Sequence, residues 1–357
     1  MHTYEHGGNV YDEDAPDGER WLDFSANICP SGIPESVLDA IEQHIPDLEN
    51  YPDPNARKLK KAIALEYDIP EAEIVPGNGA TELLYLFFHV VRPASVLLVA
   101  PSFSEYERAA RACGADIEYY GLDAEEGFKI DFKDLAEDME DEACLVLGNP
   151  NNPTGNIYTA EELHPLIDIA EERGTWLLID ESFLDFREDA SLYTVKDMVA
   201  EHSHLIVIQS LTKIYAIPGL RLGFAVMPTA LADEMCFGKD PWNVNLLAQV
   251  AGAAALADKE YQTNSKELIA RESAFLYREL SSIDNIRVMV PTVNFILIDL
   301  HDTDMPAESF ANAMKSHGIL VRDCSNFPGL DRWHIRVAVK RRTDNLKLLA
   351  AMKEVRA

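Results

Sequence analysis

Lys213 stands in the run Ser210-Leu-Thr-Lys213-Ile-Tyr-Ala-Ile-Pro-Gly-Leu-Arg221-Leu-Gly223. Its amine can form an imine with an aldehyde if partial burial lowers its pKa. Alone, a lysine in a polar loop reads as a solvated charge. Three upstream runs change that reading: Gly77-Asn-Gly-Ala80-Thr81-Glu82, Asn149-Pro-Asn-Asn152-Pro-Thr-Gly155 and Asp180-Glu-Ser-Phe183. Together they describe a pocket for a phosphorylated pyridine cofactor, with a Schiff-base lysine, an acid for the ring nitrogen and a phosphate cup. Asp180 closes the apolar run Trp176-Leu-Leu-Ile, where a carboxylate would keep a pyridine nitrogen protonated; it could equally cap a helix. Asn152 can donate to a ring oxygen or serve as a turn residue before Pro153. Ala80 and Thr81 open a helix after Gly79, and free N–H groups at such an end hold a phosphate. Ser210 and Thr212 can add hydroxyls and Arg221 a bidentate guanidinium, although the glycine-rich fragment also suits an ordinary turn. Phe103, in Pro101-Ser-Phe-Ser, can stack on a flat ring or pack in the core.

These side chains need elements to bring them together. The pattern predicts an irregular N-terminal arm over the first thirty residues and an amphipathic helix at 36–43. Beyond Tyr51-Pro-Asp-Pro54, strands at 95–100, 144–147, 176–179 and 205–208 alternate with helices after 79–81 and at 105–113, 160–172 and 195–201. Short apolar runs between helices signal an α/β fold with a mostly parallel central sheet covered on both faces. Asn152, Asp180 and Lys213 each lie just past the C-terminal end of a predicted strand, where open α/β sheets bind ligands. From about residue 245 a long helical pattern leads to strands at 294–300 and 334–339, which read as a smaller α+β domain. The expected division is 1–45 for the arm and part of the small domain, 46–244 for a large cofactor-binding domain and 245–357 for the small domain.

The chain has 357 residues, 47% hydrophobic and 26% charged, which suits a globular protein with a sizeable core. Its formal net charge of −30 argues against nucleic acid or anionic membrane as partner, and requires a local cationic cluster for any anionic substrate. No apolar run reaches membrane-spanning length, and the N-terminus lacks the basic start and apolar stretch of a secretory signal. Cys29, Cys113, Cys144, Cys236 and Cys324 form no C-x-x-C pair. That speaks against a cysteine zinc site and for a reducing compartment, so a cytoplasmic enzyme without a metal is expected. Lys340-Arg341-Arg342 reads as a solvated face.

Further runs are His6-Gly-Gly-Asn9, Asp23-Phe-Ser-Ala-Asn27-Ile-Cys-Pro30 and Val321-Arg-Asp-Cys-Ser-Asn-Phe-Pro-Gly329. With the cofactor motifs, they make the chain resemble the fold-type I pyridoxal-phosphate enzymes of the aspartate aminotransferase superfamily, from His6 to about Asn345. It is similar to their histidinol-phosphate aminotransferase branch, and most similar to the L-threonine-O-3-phosphate decarboxylases of cobalamin biosynthesis. The resemblance implies pyridoxal 5′-phosphate as cofactor, bound through Lys213, with Asp180 at the ring nitrogen, Asn152 at the ring oxygen and Phe103 stacked on the ring. Ala80, Thr81, Ser210 and Arg221 would hold its phosphate, with Tyr51 reaching it from the partner subunit of a homodimer. Arg336 would grip the substrate α-carboxylate. A second anion site is sought among His6, Gly7, Gly8, Asn27, Arg322 and Asn326, although Arg322 could instead pair with Asp323.

Phe183 stands where the aminotransferases of this branch usually carry tyrosine, which agrees with the decarboxylases; Cys29 departs from their usual asparagine. The expected reaction is decarboxylation of L-threonine O-3-phosphate to (R)-1-amino-2-propanol O-2-phosphate. L-serine O-phosphate decarboxylation and histidinol-phosphate transamination are the alternatives. Which bond at Cα breaks would depend on how the two anionic ends of the substrate are anchored.

Overall fold

The computed structural model describes residues 6–11, 14–16, 20–141 and 143–355. Seven strands form the main sheet, in the spatial order Ile74–Gly77, Gly223–Val226, Leu205–Ser210, Trp176–Asp180, Cys144–Gly148, Ser95–Ala100 and Asp116–Gly121. The last five of these run parallel to one another, and Gly223–Val226 is antiparallel to the strand on either side. Residues along each strand alternate between faces, so each face needs its own cover. Leu145, Leu147, Leu177, Ile179 and Val207 join one buried cluster. Val146, Leu178, Ile206 and Ile208 join the other, against the helices Ala80–Val91 and Ser104–Cys113. Runs buried on both sides have no polar face, which is why they appear in the sequence as continuous apolar stretches.

The predicted strands and helices lie within a few residues of their observed bounds, with one exception: 196–201 is a 3-10 helix, not an α-helix. Helix Ala160–Arg173 starts on a reciprocal cap, in which Thr159 accepts from the Glu162 N–H and the Glu162 carboxylate accepts from the Thr159 N–H. The strands Ile74–Gly77, Asp116–Gly121 and Gly223–Val226 were not foreseen. The strand Asp116–Gly121 is an edge with mostly exposed residues, so it lacks the apolar signature of its neighbours.

A second sheet of four antiparallel strands follows the helices Leu246–Ala257 and Lys259–Leu280, in the order Arg322–Asp323, His334–Ala338, Phe295–Asp299 and Arg287–Val288. The N-terminal arm joins this part of the chain: Leu22–Asp23 pairs in parallel with Ile319–Leu320, and the Phe24 carbonyl accepts from the Ala338 N–H at 2.8 Å. Arg341 and Arg342 are exposed, as expected of a solvated face, while Lys340 is half-buried; both arginines nonetheless have partners. Arg341 donates to the Pro30 carbonyl at 2.8 Å and the Ser31 carbonyl at 3.2 Å, while Arg342 pairs with Glu272 and covers the Phe275 ring. Among the described residues no helix is long and apolar enough to cross a membrane.

Candidate active site

Parallel strands deliver the key residues to one edge of the main sheet. Gly148 is in register with Asp180, and Asp180 with Ile208. The chain therefore turns out of the sheet at the same level before Asn152, after Asp180 and before Lys213. Asn152, Asp180, Ser210, Thr212 and Lys213 line one cleft, with Ala80, Thr81, Phe103, Phe183 and Arg221 completing the walls.

At one end of the cleft, Gly79 takes φ +90° and helix Ala80–Val91 begins. A side chain on Gly79 would collide with the Arg221 guanidinium, so that guanidinium lies directly against the helix start. Arg221 itself holds a left-handed φ of 59°, a conformation costly for a non-glycine residue. The start of a helix carries a partial positive charge, and placing a guanidinium beside it is favourable only with an anion between them. The Ser210 and Thr212 hydroxyls lie 2.8 Å apart and complete this cup.

Asp180 does not cap a helix. One carboxylate oxygen accepts from the Ser182 N–H at 2.9 Å and the other from the Tyr106 hydroxyl at 2.8 Å, which fixes the plane of the carboxylate. Tyr106 is a site residue that sequence reasoning missed. Its only signal is a position three residues after Phe103 at the start of helix Ser104–Cys113, so the two share a helix face. Burial, and then Asp180, push its hydroxyl well above the usual tyrosine pKa, so Tyr106 stays a neutral donor. Phe103 is half-buried and meets Tyr106 edge-on at 5.6 Å, with the His6 ring centred 5.7 Å away.

Lys213 lines the cleft but is otherwise surrounded by protein. Burial first, then the charges of Arg221 and Arg336, bring its amine down to about 8 against the opposing pull of Asp180. A large fraction of the amine is therefore neutral in mildly basic solution. The Lys213 carbonyl accepts from the Cys29 N–H at 3.0 Å, tying the lysine loop to the N-terminal segment.

Arg336, from the strand His334–Ala338, is buried behind the cleft. It donates to the Asn152 side-chain oxygen and, at 2.9 Å, to the Ser25 carbonyl, while its Nε–H has no partner. Among the described residues no carboxylate pairs with it. Burial is the main cause that brings its pKa down to about 10, and Arg322 adds to the shift. Arg322 is its direct partner across the two antiparallel strands. Side chains of such partners project to the same sheet face, so two buried arginines share that face. Arg322 donates to Asn326 at 2.8 Å, and Asp323 accepts from the Ser325 N–H rather than holding Arg322. Asn27 is buried with its side-chain oxygen unpartnered, a second polar atom left for a ligand.

The arm reaches the site through His6, whose Nε2 lies 2.8 Å from Glu105. Gly7 approaches the Ser25 carbonyl too closely for any side chain, and the Gly8 N–H donates to the Ser25 hydroxyl at 2.7 Å. Ser25 is thus a hub, holding the arm with its side chain and Arg336 with its carbonyl. Tyr51 is the one expected cofactor contact that does not line the cleft. It is 78% exposed and stacks on Trp242 at 4.5 Å.

Residues 19–352 match the model of the aminotransferase class I and II family. The chain is 38% identical to a Caldanaerobacter subterraneus subsp. tengcongensis protein provisionally named threonine-phosphate decarboxylase, over 99% of this chain and 94% of that one. It is 34% identical to a threonine-phosphate decarboxylase of Salmonella typhimurium, over 98% of this chain and 96% of that one. Among solved structures it is similar to the histidinol-phosphate aminotransferase from Clostridium acetobutylicum. That likeness has a TM-score of 0.87 and 34% identity over 93% of this chain and 98% of that one.

Proposed function

The chain belongs to the aminotransferase class I and II family, and from that premise we propose that it removes the carboxylate of L-threonine O-3-phosphate, yielding (R)-1-amino-2-propanol O-2-phosphate. Enzymes of this family use pyridoxal 5′-phosphate, and the cleft fits that group on its own chemistry. The helix start with Arg221, Ser210 and Thr212 suits the phosphate, the flat face of Phe103 the ring, Asp180 the ring nitrogen, Asn152 the ring oxygen and Lys213 the aldehyde. When bound, the cofactor supplies an electron-withdrawing ring conjugated to the substrate amine, which weakens whichever Cα bond lies perpendicular to the ring.

The residues of the chain then choose that bond. The observation that carries the proposal is the buried pair Arg322 and Arg336 on one sheet face beside the Lys213 cleft. Two fixed cations suit a substrate with two anionic ends, such as a carboxylate and a phosphate. His6, Gly7, Gly8, Asn27 and Asn326 surround the same region from the arm and the 322–329 loop, and are the proposed supporting contacts. Anchoring both ends sets the rotation about Cα, placing the carboxylate rather than the hydrogen across the ring plane. The Cα–carboxylate bond breaks, carbon dioxide leaves, and Lys213 or a bound water returns one proton to Cα. One substrate and one proton thus give one amino-alcohol phosphate and one carbon dioxide.

We further propose a homodimer in which Tyr51 serves the cofactor phosphate of the partner subunit, supported by its exposure on the rim of its own chain. A cytoplasmic setting is supported by five unpaired cysteines.

The test is a product assay on cofactor-loaded protein with L-threonine phosphate, with L-serine phosphate in parallel. Carbon dioxide and an amino-alcohol phosphate are expected, with threonine phosphate preferred by about the 1–3 kcal/mol that one methyl confers. The likeness to a histidinol-phosphate aminotransferase makes transamination the second reading. Glutamate formed from histidinol phosphate and 2-oxoglutarate, without gas, would replace decarboxylation by it.

A further inference from the structure

Away from the cleft, three side chains converge on the outside of the main sheet. His164 and Asp168 lie one turn apart on helix Ala160–Arg173, and His202 follows the 3-10 helix Lys196–Glu201. Nε2 of His202 lies 3.3 Å from Asp168 Oδ1, and Nε2 of His164 lies 3.6 Å from the same oxygen. The three donor atoms all fall within 4.8 Å of one another.

The tautomer of His202 is decided by its other nitrogen. Nδ1 lies 2.8 Å from the Met198 carbonyl oxygen, which can only accept, so the Nδ1 carries the proton. Nε2 is therefore the nitrogen left to face the Asp168 carboxylate. A backbone carbonyl that holds the far N–H of an imidazole is how metal-ligating histidines are oriented. Bonds of about 2.0–2.1 Å from a tetrahedral zinc ion put neighbouring ligand atoms roughly 3.4 Å apart, and the two separations here bracket that value.

A second cluster, Asp299, His301 and His334, lacks these features. Both ring nitrogens of His301 are taken up by carboxylates, Asp299 at 2.6 Å and Asp331 at 2.8 Å. That arrangement is complete as a hydrogen-bonded imidazolium.

We propose that His164, Asp168 and His202 form a binding site for a divalent transition-metal ion of the zinc type, separate from the catalytic cleft. His202 supplies the least exposed ligand, while His164 and Asp168, each more than half exposed, leave the remaining coordination positions to water. The ion ties the helix Ala160–Arg173 to the segment that leads into the strand Leu205–Ser210, and so has a structural role. The strongly negative chain raises the local concentration of such cations.

Calorimetric titration of tag-free holoenzyme with zinc chloride, in phosphate-free buffer, tests this. Saturable binding of one ion per chain and a raised melting temperature are expected. Binding should weaken by at least about tenfold in His202→Ala and in Asp168→Asn, since losing groups that merely orient a metal ligand already costs about 10- to 100-fold. His164→Ala changes an exposed side chain and provides the variant least able to disturb folding. No saturation up to millimolar zinc, or binding that survives all three changes, would overturn the assignment. Binding lost only in His301→Ala would overturn it as well, by moving the site to the other cluster.

Discussion

Lys213 shows how a functional group is held at a disadvantage to the fold. A lysine whose folded pKa lies near 8, against 10.5 in the unfolded chain, destabilises the cofactor-free protein on the order of 3 kcal/mol below pH 8. The penalty fades as pH rises from 8 toward 10.5, because the unfolded chain then also loses the proton. Lys213→Met should therefore be more stable than the parent in urea melts of cofactor-free protein at pH 7. The advantage should shrink as pH is raised through that window; a constant advantage would mean that the lysine is not depressed. Uptake of the cofactor by the cofactor-free protein, followed by its visible absorbance, should quicken with pH toward 8, as the neutral amine becomes available. Tyr106 acts at the same scale, by holding Asp180 in place. Tyr106→Phe should lower kcat about 10- to 100-fold with little change in KM, and should shift the cofactor's visible absorbance, which a merely structural role would leave alone. Lys213, Asp180 and Asn152 were legible in the sequence because each closes or follows an apolar strand. Tyr106 was not, because its hydrogen bond spans 74 residues of chain and nothing local records it.

At the scale of elements, the N-terminal arm and the Arg336 strand meet on Ser25. The arm lacks apolar periodicity, so composition could say only that it is irregular. Its docking rests instead on the close approach of Gly7 to the Ser25 carbonyl and on the Gly8 N–H. Gly7→Ala should push the arm off this surface. We expect KM for the substrate to rise about tenfold or more, a loss of roughly 1.4 kcal/mol of binding, with the melting temperature nearly unchanged because residues 6–11 add no side chain to either core. An unchanged KM would remove the arm from substrate binding. In the 340–342 run the exposure of Arg341 and Arg342 was legible, but their partners were not. Three adjacent cations read as solvated, yet Arg341 and Arg342 are bound by a turn and a helix that are distant in the chain.

For the whole molecule, the separation of Tyr51 from its own cleft makes a prediction about assembly. If Tyr51 serves the partner's site, co-expressing Lys213→Ala with Tyr51→Ala chains should restore activity, although each variant alone is impaired. Random pairing puts about a quarter of all sites together with both residues intact. Activity no greater than the sum of the separate variants would place Tyr51 outside the partner's site. By itself the sequence determined the strand–helix alternation, the cofactor motifs at the strand ends and the acidic character of the chain, because these depend on residues close together along it. The tertiary structure alone decided that Arg322 and Arg336 are cross-strand partners, that Ser25 joins the arm to Arg336, and that His164, Asp168 and His202 converge. Those contacts depend on strand register and on the packing of distant segments, and the energy that sets them is spread over both cores rather than written in any local run of residues.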